Sequence, residues 1–356
     1  MIKYLKLLLW PFSVLYGGVT AIRNDFYDRG FKVSHRFNLP VIAVGNLTVG
    51  GTGKTPHVEY LLRLLRGYKV ATLSRGYKRK SKGFVMAGPD ATAEVLGDEP
   101  YQYHIDFPEV RVAVSEKRVP GIEHLQQLVP ELDLIVLDDA MQHRAVSPSL
   151  NIMLTDYTRL FYKDLVLPAG LLREPKRGAA RADIVIVSKA PSNLKSQEME
   201  VIKRKVHYYA GADKPVFFST IKYGLPVAAG VKREMGSDVV LLTGIANPEP
   251  LREYLRSQKI NVVEEFIFPD HHPYTLQDID KVKVYVEHHN HTSLSIVTTR
   301  KDAVKLATGL MREATKSLPL FYLPIEIAFL ENGAGFDEII LKHVEEFVHR
   351  KHPNQL

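Results

Sequence analysis

The sequence predicts an α/β protein with a doubly wound, mostly parallel sheet. Short apolar, β-branched runs alternate with amphipathic helical patterns through the first two-thirds of the chain, and parallel strands joined by helices produce this order. A glycine-rich turn also connects the first such run to a helical pattern, which places a helix N-terminus at the edge of the sheet. The candidate strands of the main sheet are 41–44, 69–74, 110–114, 134–137, 152–155 and 184–188.

An apolar segment, 7–22, precedes the first strand and has basic residues on both sides. It is shorter than the roughly 20 residues that cross a bilayer, and Pro11 disfavours a straight spanning helix. We interpret it as a membrane-associated helix at the interface, with Trp10 and Tyr16 at the level of the lipid headgroups. A cleaved signal peptide and an ordinary buried first helix are the alternatives.

A candidate phosphate-binding loop follows the first strand. Its residues are Thr48, Val49, Gly50, Gly51, Thr52, Gly53, Lys54 and Thr55. A strand, a glycine-rich turn, Gly-Lys-Thr and a helix is the order expected of a loop that turns its backbone N–H groups toward nucleotide phosphates. The lysine would pair with those phosphates, and the last threonine would ligate Mg²⁺. The first position is usually glycine, but the three glycines that follow leave the loop free to turn; a chance glycine-rich turn is the alternative.

Two acidic pairs lie close to predicted strands and helices. Asp138 and Asp139 follow the buried run 134–137, and the carboxyl ends of parallel strands form the edge where ligands bind. We therefore expect an acid here to hold Mg²⁺ beside the phosphate loop, with a solvated acidic loop as the alternative. Asp98 and Glu99 precede a helical pattern, so Asp98 is either a helix cap or a base, and Glu99 is a candidate metal ligand.

A loop at 268–273 carries two adjacent histidines between a strand and a helix. Because imidazole titrates near neutrality, His271 or His272 could take a proton from a hydroxyl group. Zinc binding is poorly supported, since adjacent histidines seldom share one ion, and Asp270 could serve only as a helix cap. A further cluster is interpreted as a solvated helix end and contains His288, His289 and His291.

Composition limits the partners of the chain. The formal charge of +7 and the pI of about 9.2 favour nucleic acid, an anionic membrane surface or a phosphorylated substrate. No aromatic-interleaved basic face supports nucleic acid. The absence of cysteine excludes disulfides, thiolate metal sites and a cysteine nucleophile. Arg75 and Arg173 each follow an apolar run and a turn, so they are the best candidates for binding a substrate phosphate with the guanidinium fork.

The last third of the chain predicts a smaller α/β unit. Its candidate strands and intervening helices are 239–243, 248–257, 262–268, 276–289 and 293–298. Two extended runs, 215–222 and 320–329, bracket this unit and could pair as antiparallel linker strands. A helical pattern at 336–349 could pack back on the main core. The expected domains are the N-terminal helix, the main core, the smaller unit, and a return strand with the last helix: 1–30, 31–222, 223–325 and 326–356.

Seven stretches of the chain occur in an order that points to one family. They read VIAVGNLTVGGTGKTP at 41–56, LSRGYKRK at 73–80, GDEP at 97–100, SEKRVPG at 115–121, LIVLDDAMQHR at 134–144, PAGLLREP at 168–175 and FPDHH at 268–272. Together they resemble the tetraacyldisaccharide 4′-kinase family, the lipid A 4′-kinases of Gram-negative bacteria. In that family a threonine also opens the phosphate loop. The chain departs from the family at Ala140-Met141, where Gly-Leu or Gly-Phe is more common.

The resemblance implies transfer of the ATP γ-phosphoryl group to the 4′-hydroxyl of a tetraacyl disaccharide 1-phosphate, which yields lipid IVA in lipid A biosynthesis. It implies a P-loop NTPase core, a smaller α/β domain on a two-stranded linker, and a peripheral protein at the anionic surface of the inner membrane, on its cytoplasmic face. ATP and Mg²⁺ are the implied cofactors. A monomer that does not bind nucleic acid is expected.

The resemblance also assigns roles to residues. The Asp–His base of the family corresponds to Asp98 and His271, whose separate predicted domains suggest that lobe closure assembles the pair. Lys54 and Asp139 complete the expected catalytic set. The expected metal ligands are Thr55, Glu99 and Asp138. The expected substrate contacts are Asn46, Arg75, Arg118, Gln142, His143 and Arg173.

Two other classes of function stay open from the residues alone. One is a P-loop ATPase switch that binds a protein partner, which predicts ATP hydrolysis stimulated by that partner. The other is a kinase or ligase of a soluble metabolite, which predicts no dependence on lipid and a first helix buried against the sheet.

Overall fold

A computed structural model describes residues 2–289 and 294–351, so His291 and the predicted strand start at 293 lie outside the described residues. In chain order the strands are β1 (Val41–Asn46), β2 (Val70–Ser74), β3 (Val85–Met86), β4 (Arg111–Val114), β5 (Leu134–Asp138), β6 (Leu150–Asp156), β7 (Ile184–Ser188), β8 (Val216–Tyr223), β9 (Val227–Ala228), β10 (Asp238–Thr243), β11 (Asn261–Ile267), β12 (Ser295–Thr299), β13 (Leu320–Leu323) and β14 (Ile325–Phe329). The α-helices are α1 (Ile2–Asp28), α2 (Lys54–Leu64), α3 (Ala93–Leu96), α4 (Asp98–Asp106), α5 (Arg118–Leu128), α6 (Ser196–Ala210), α7 (Glu249–Ser257), α8 (Leu276–His288), α9 (Arg300–Leu306), α10 (Gly309–Thr315) and α11 (Gly333–Lys351). Short 3₁₀ turns occupy Phe161–Lys163 and Lys176–Arg181.

In the described part of the chain, a nine-stranded sheet forms the larger body. Its strand order is β14-β8-β7-β6-β1-β5-β2-β4-β3, with antiparallel pairs at the two edges and parallel pairs between them. The predicted doubly wound, mostly parallel α/β fold is confirmed. β1 lies between β5 and β6 and is buried along its whole length, because helices cover both of its faces.

Alternate residues of β1 show how the two faces are covered. Ile42 and Val44 pack with Val58 of α2 in one core cluster, which α11 completes. Val41 and Ala43 belong to the cluster on the opposite face, which includes the apolar side of α5. Since successive side chains of a strand point to opposite faces, the continuous apolar run of β1 is what a doubly covered parallel strand requires.

A second sheet, with the order β11-β10-β12-β13-β9, forms the smaller body. The extended run at 320–329 is not one strand, and that part of the prediction is wrong. Pro324 separates β13, in the smaller sheet, from β14, which pairs antiparallel with β8 at the edge of the larger sheet. Proline lacks the N–H that a continuing strand would donate, so the chain changes sheets there. β8 and β14 are the two linker strands, whereas the domain boundaries at 30, 222 and 325 stay a prediction.

Helix α1 lies on the larger body with a polar and small-residue face. Asn24 and Ser13 are buried, and the Ser13 hydroxyl accepts a hydrogen bond from the backbone N–H of Ala169 at 2.8 Å. The opposite face exposes large apolar side chains, among them Trp10 and Phe12, which are 56% and 61% exposed. An ordinary buried first helix is therefore the wrong alternative. Within the residues described, no helix is both long and apolar enough to cross a membrane.

Candidate active site

The predicted phosphate loop connects β1 to α2 at the carboxyl edge of the larger sheet. Gly50 and Gly53 have φ angles of 98° and 80°, a left-handed conformation that favours glycine. Gly53 is the N-cap of α2, and having no side chain it leaves the first N–H groups of the helix uncapped. Uncapped N–H groups and the helix dipole together favour an anion at this position.

Neighbouring strands hold the carbonyl groups of this loop. Ser188, at the end of β7, donates its hydroxyl to the Thr52 carbonyl at 2.8 Å, and the Lys189 ammonium donates to the Gly51 carbonyl. Arg159 donates to the Val49 carbonyl at 3.1 Å. These three donors were not predicted from the sequence, although Ser188 and Lys189 stand where a predicted strand reaches the same edge.

Asp138 ends β5 beside β1 and is buried. The Tyr103 hydroxyl donates to its Oδ2 at 3.1 Å, whereas its Oδ1 is buried without a hydrogen-bond partner. Burial raises the pKa of Asp138 to about 6; Lys54 opposes this shift, and the carboxylates of Asp139 and Glu99 add to it. A buried carboxylate oxygen without a partner is costly unless a cation or donor satisfies it.

Asp139 follows with a positive φ of 52° and turns its carboxylate toward two cations. Arg173 donates to both carboxylate oxygens at 2.9 and 3.0 Å, and the Lys54 ammonium lies 3.5 Å away. Burial alone would raise the pKa of Asp139, but Lys54 and Arg173 outweigh it and lower that pKa. Arg173 is therefore bound to an acid of the site. The residues Ala140-Met141, where the chain departs from the common family sequence, do not displace Asp139 from Lys54.

The predicted Asp–His pair is formed, across the two sheets. His271 Nδ1 lies 2.9 Å from Asp98 Oδ2, which joins the loop after β11 to the first residue of α4. Burial works to raise the pKa of Asp98, but the hydrogen bond with His271 and the charges of Lys305 and Lys301 lower it overall. The two residues thus meet without any further closure of the lobes.

The structure also decides between the alternative roles of Asp98, Asp270 and His272. Asp98 does not cap α4, since the N-cap is Gly97, and α8 is capped by Thr275 and not by Asp270. His272 bonds to Asp278 at 3.0 Å, within the capping box of α8, so it has a structural role.

Comparison with known proteins identifies the relatives of this arrangement. The family model for tetraacyldisaccharide-1-P 4′-kinase matches residues 5–345. The chain belongs to this family. A tetraacyldisaccharide 4′-kinase of Flavobacterium psychrophilum is 44% identical over 96% of this chain and 98% of that protein. One from Cytophaga hutchinsonii is 45% identical over 91% of this chain and 92% of that protein.

A solved structure is similar over nearly its whole length. It is the "apo" form of LpxK from Aquifex aeolicus in complex with ATP, with a TM-score of 0.73, 30% identity, and coverage of 96% of this chain and 99% of that one. The family resemblance predicted from the seven motifs is therefore confirmed, as is the P-loop core with its smaller α/β body.

In this family member, a buried carboxylate links helix α1 to the site. Glu174 accepts hydrogen bonds from Asn24 at 2.7 Å, Gln142 at 2.8 Å and Arg181 at 2.7 Å. Gln142 also donates to the Asn46 carbonyl at 2.9 Å and accepts from Arg173 at 3.2 Å. Glu174 had no predicted role, because nothing in the local sequence marks it as buried.

The other predicted substrate residues gather at the same edge. Arg118 is buried, donates to the carbonyl groups of Ser115 and Asp138 at 2.5 and 3.3 Å, and has its pKa lowered to about 10 by burial. Burial, aided by the charge of Arg118, lowers the pKa of His143 to about 4, so its imidazole is neutral. Arg75 is exposed and close enough for its charge to lower both pKa values.

Two lysines of α9 complete the surroundings of the Asp–His pair. The Lys305 ammonium lies 3.2 Å from Asp98, and the Lys301 ammonium lies 3.2 Å from His271 Nε2. Neither lysine was predicted. They follow β12 directly, so a search for charged residues at the carboxyl ends of the smaller sheet would have found them.

Proposed function

We propose that the protein transfers the γ-phosphoryl group of ATP to the 4′-hydroxyl of a tetraacyl disaccharide 1-phosphate, which yields lipid IVA in lipid A biosynthesis. The observation that carries the proposal is the 2.9 Å contact between Asp98 and His271 in a chain that belongs to the 4′-kinase family. A sugar hydroxyl needs a base at the point of attack, and an imidazole oriented by a carboxylate supplies one.

ATP would bind with its phosphates on the phosphate loop. The uncapped N-terminus of α2 and the Lys54 ammonium would offset the negative charge of the β- and γ-phosphates. The Aquifex aeolicus relative was solved in complex with ATP, which supports ATP as the nucleotide. The Lys54 ammonium lies 3.5 Å from Asp139. When ATP binds, this ammonium would contact the phosphates and its ion pair with Asp139 would weaken.

Mg²⁺ fits the acidic edge of the same site. Asp138 offers an unpartnered buried oxygen, and the charge of Glu99 acts on Asp138. Thr55 is the second residue of α2, and the Tyr103 hydroxyl bonds both Thr55 and Asp138. The described residues contain no group of three or more metal-ligating His, Asp or Glu side chains. Mg²⁺ in kinases is held by one or two protein groups together with substrate phosphates, so Thr55, Asp138 and Glu99 are a sufficient set. Bound there, the ion would neutralise charge on the phosphates.

His271 would act as the base. With a proton on Nδ1, donated to Asp98, Nε2 carries the lone pair that would accept the proton of the 4′-hydroxyl. Positioning of hydroxyl and phosphate contributes a further part of the rate. The contribution of Asp139 would be to hold Lys54 and Arg173 in place beside the transferred group.

The acceptor would enter along the edge formed by α1 and the loops after β2 and β5. Arg75 is the exposed guanidinium available for a substrate phosphate, and His143 is a neutral donor or acceptor nearby. The remaining proposed contacts shape this edge and are Asn46, Arg118, Gln142 and Arg173.

The exposed apolar face of α1 supports a peripheral attachment to the cytoplasmic face of the inner membrane, where an acylated substrate resides. Arg23, Arg29 and Lys32 lie at the end of this helix and beyond it, where they would meet anionic headgroups. The protein would act there as a monomer.

The test is a transfer assay with γ-³²P-ATP, Mg²⁺ and tetraacyl disaccharide 1-phosphate in detergent micelles. Label is expected on the sugar with the wild type, and His271→Ala should lower turnover by about 10²–10⁴-fold at saturating substrates. His288→Ala, an exposed histidine of α8, is the matched control and should retain activity. Absence of label on the lipid from the folded wild type would exclude the proposed reaction.

A further inference from the structure

Helix α9 presents basic side chains to the acidic side chains of α4. Arg300 pairs with Asp106 at the end of α4, and Lys305 lies 3.2 Å from Asp98 at its beginning. Lys301 lies 3.5 Å from Glu99. Helix α4 is part of the larger body and α9 is part of the smaller one, so these ion pairs join the two bodies.

Lys301 occupies a special place in this interface. Its ammonium lies 3.2 Å from His271 Nε2, 3.1 Å from Asp270 and 3.5 Å from Glu99, and its side chain is mostly buried. Lysine is a donor only, so Nε2 must accept, and the imidazole proton must be on Nδ1, where Asp98 accepts it. Lys301 therefore holds His271 in the tautomer that a base requires.

The position of Nε2 also limits the distance from Lys301 to the reaction. A base lies about 2.6–3.2 Å from the hydroxyl it deprotonates, and that oxygen lies about 3–3.5 Å from the phosphorus it attacks. The transferred phosphorus is therefore within about 7 Å of Nε2. The Lys301 ammonium is 3.2 Å from Nε2, so it lies no more than about 10 Å from that phosphorus, and rotation of its four-carbon stem would bring it nearer.

We propose that Lys301 is a catalytic cation supplied by the smaller body, an inference that rests on the proposed kinase reaction. The acceptor hydroxyl takes the place of Lys301 at Nε2, and the ammonium turns to an equatorial oxygen of the transferred phosphoryl group. There it stabilises charge in addition to Lys54, as a positioned cation does in other phosphoryl transfers.

The hydroxyl oxygen forms a bond to the γ-phosphorus, and the bond from that phosphorus to the bridging oxygen breaks, so ADP leaves with the bridging oxygen. The hydroxyl proton passes to Nε2 of His271. Lys301 remains protonated throughout and contributes only charge and hydrogen bonds.

Because Lys301 contacts the transferred group mainly in the transition state, its loss should lower kcat and leave ATP binding nearly unchanged. Lys301→Met should lower kcat by about 10²–10³-fold, with the Kd for ATP within threefold of the wild type. Lys283→Met is the matched control, because Lys283 is an exposed lysine of α8 that pairs with Glu287 of the same helix at 3.8 Å. It should retain wild-type kcat.

The absence of cysteine from the chain permits a chemical rescue. Lys301→Cys carries a single thiol, and 2-bromoethylamine converts it to an aminoethyl thioether that restores the ammonium at nearly the original length. This treatment should raise the kcat of the Lys301→Cys enzyme at least tenfold. Iodoacetamide adds a neutral group to the same thiol and should give no recovery. Unchanged circular dichroism and ATP binding confirm that the protein tested is folded.

Three results would overturn the proposal. The first two are a Lys301→Met enzyme with kcat within threefold of the wild type, and equal recovery with both alkylating reagents. A loss of ATP affinity that accounts for the whole loss of kcat/KM would also overturn it. Lys301 would then contact ATP in the ground state, and no added contact in the transition state would be needed to explain the loss. If the wild type labels the lipid and Lys301→Met does so equally, only the role of Lys301 is wrong. If the wild type gives no labelled lipid, the reaction itself is wrong.

Discussion

The buried carboxylate of Glu174 offers a quantitative test of how helix α1 is joined to the active site. Its side chain is 3% exposed, and its two oxygens accept hydrogen bonds from Asn24, Gln142 and Arg181. Glu174→Ala leaves the Arg181 guanidinium without its counter-charge and removes one acceptor from each of the Asn24 and Gln142 amides. Removing one partner of a buried ion pair costs about 3–5 kcal/mol, so the free energy of unfolding should fall by that amount.

Two further variants divide this loss between the charge and the contact with α1. Glu174→Gln keeps the shape and one acceptor oxygen but removes the charge, so we expect a loss of about 1–3 kcal/mol. Asn24→Ala removes only the donor from α1 and should cost about 1–2 kcal/mol in the wild type. In the Glu174→Ala background the same change should cost little, because its partner is already absent.

Urea unfolding followed by circular dichroism measures these free energies, and the transfer assay shows whether the site is affected. Gln142 is anchored by Glu174 and touches Asn46 and Arg173, so kcat should fall together with stability. Glu331→Ala, which removes an exposed ion pair 4.0 Å long, is the control and should change stability by less than about 0.5 kcal/mol. A Glu174→Ala protein as stable as this control would show that the carboxylate does not connect α1 to the site.

Three further predictions concern the phosphate loop, a buried acid and the exposed helix. Lys54→Ala should lower kcat in the transfer assay by about 10³-fold or more, because it removes charge stabilisation from the phosphates; a loss under tenfold would refute this role. Burial raises the pKa of Glu59 to about 7 from 4.5. The native state keeps a proton there that the unfolded chain releases, so this group reduces stability as pH rises from 4.5 to 7. Glu59→Gln should therefore raise the unfolding free energy at pH 8 by up to about 3 kcal/mol and leave it unchanged near pH 4. Urea titrations at the two pH values measure this difference, and an equal effect of the substitution at both would refute the reasoning. Replacing Trp10, Phe12 and Leu15 by serine should weaken co-sedimentation with anionic vesicles at least tenfold, since burying each side chain contributes about 1.5–3 kcal/mol; unchanged binding would contradict a membrane role for this face.

Much of the fold could be predicted because the local pattern was decisive. The run at 41–44 is apolar on both faces, which only a covered parallel strand requires, and β1 is indeed central and buried. The run at 320–329 shows the limit of such patterns. Its residues favour an extended chain throughout, and only the pairing partners on either side of Pro324 determine that it belongs to two sheets.

The residues of the candidate site also fall into two groups, those that local sequence patterns predict and those that they do not. Lys54 and Asp138 were predicted because each follows a strand and the edge of a parallel sheet gathers such residues. Glu174 and Lys301 were not predicted, since a single glutamate or lysine in a polar segment is usually solvated. Their importance comes from contacts with residues more than 25 positions away in the chain, such as Asn24 for Glu174 and His271 for Lys301.

The sequence by itself determined the parallel sheet, the glycine-rich loop and the family, because each depends on residue types at short and ordered spacings. Only the tertiary structure decided that Asp98 and His271 touch without closure of the lobes, that α9 places Lys301 against the imidazole, and that α1 turns its apolar face outward. The physical reason is that these contacts join elements of different sheets. Their distances depend on how packed bodies meet, which no local periodicity encodes.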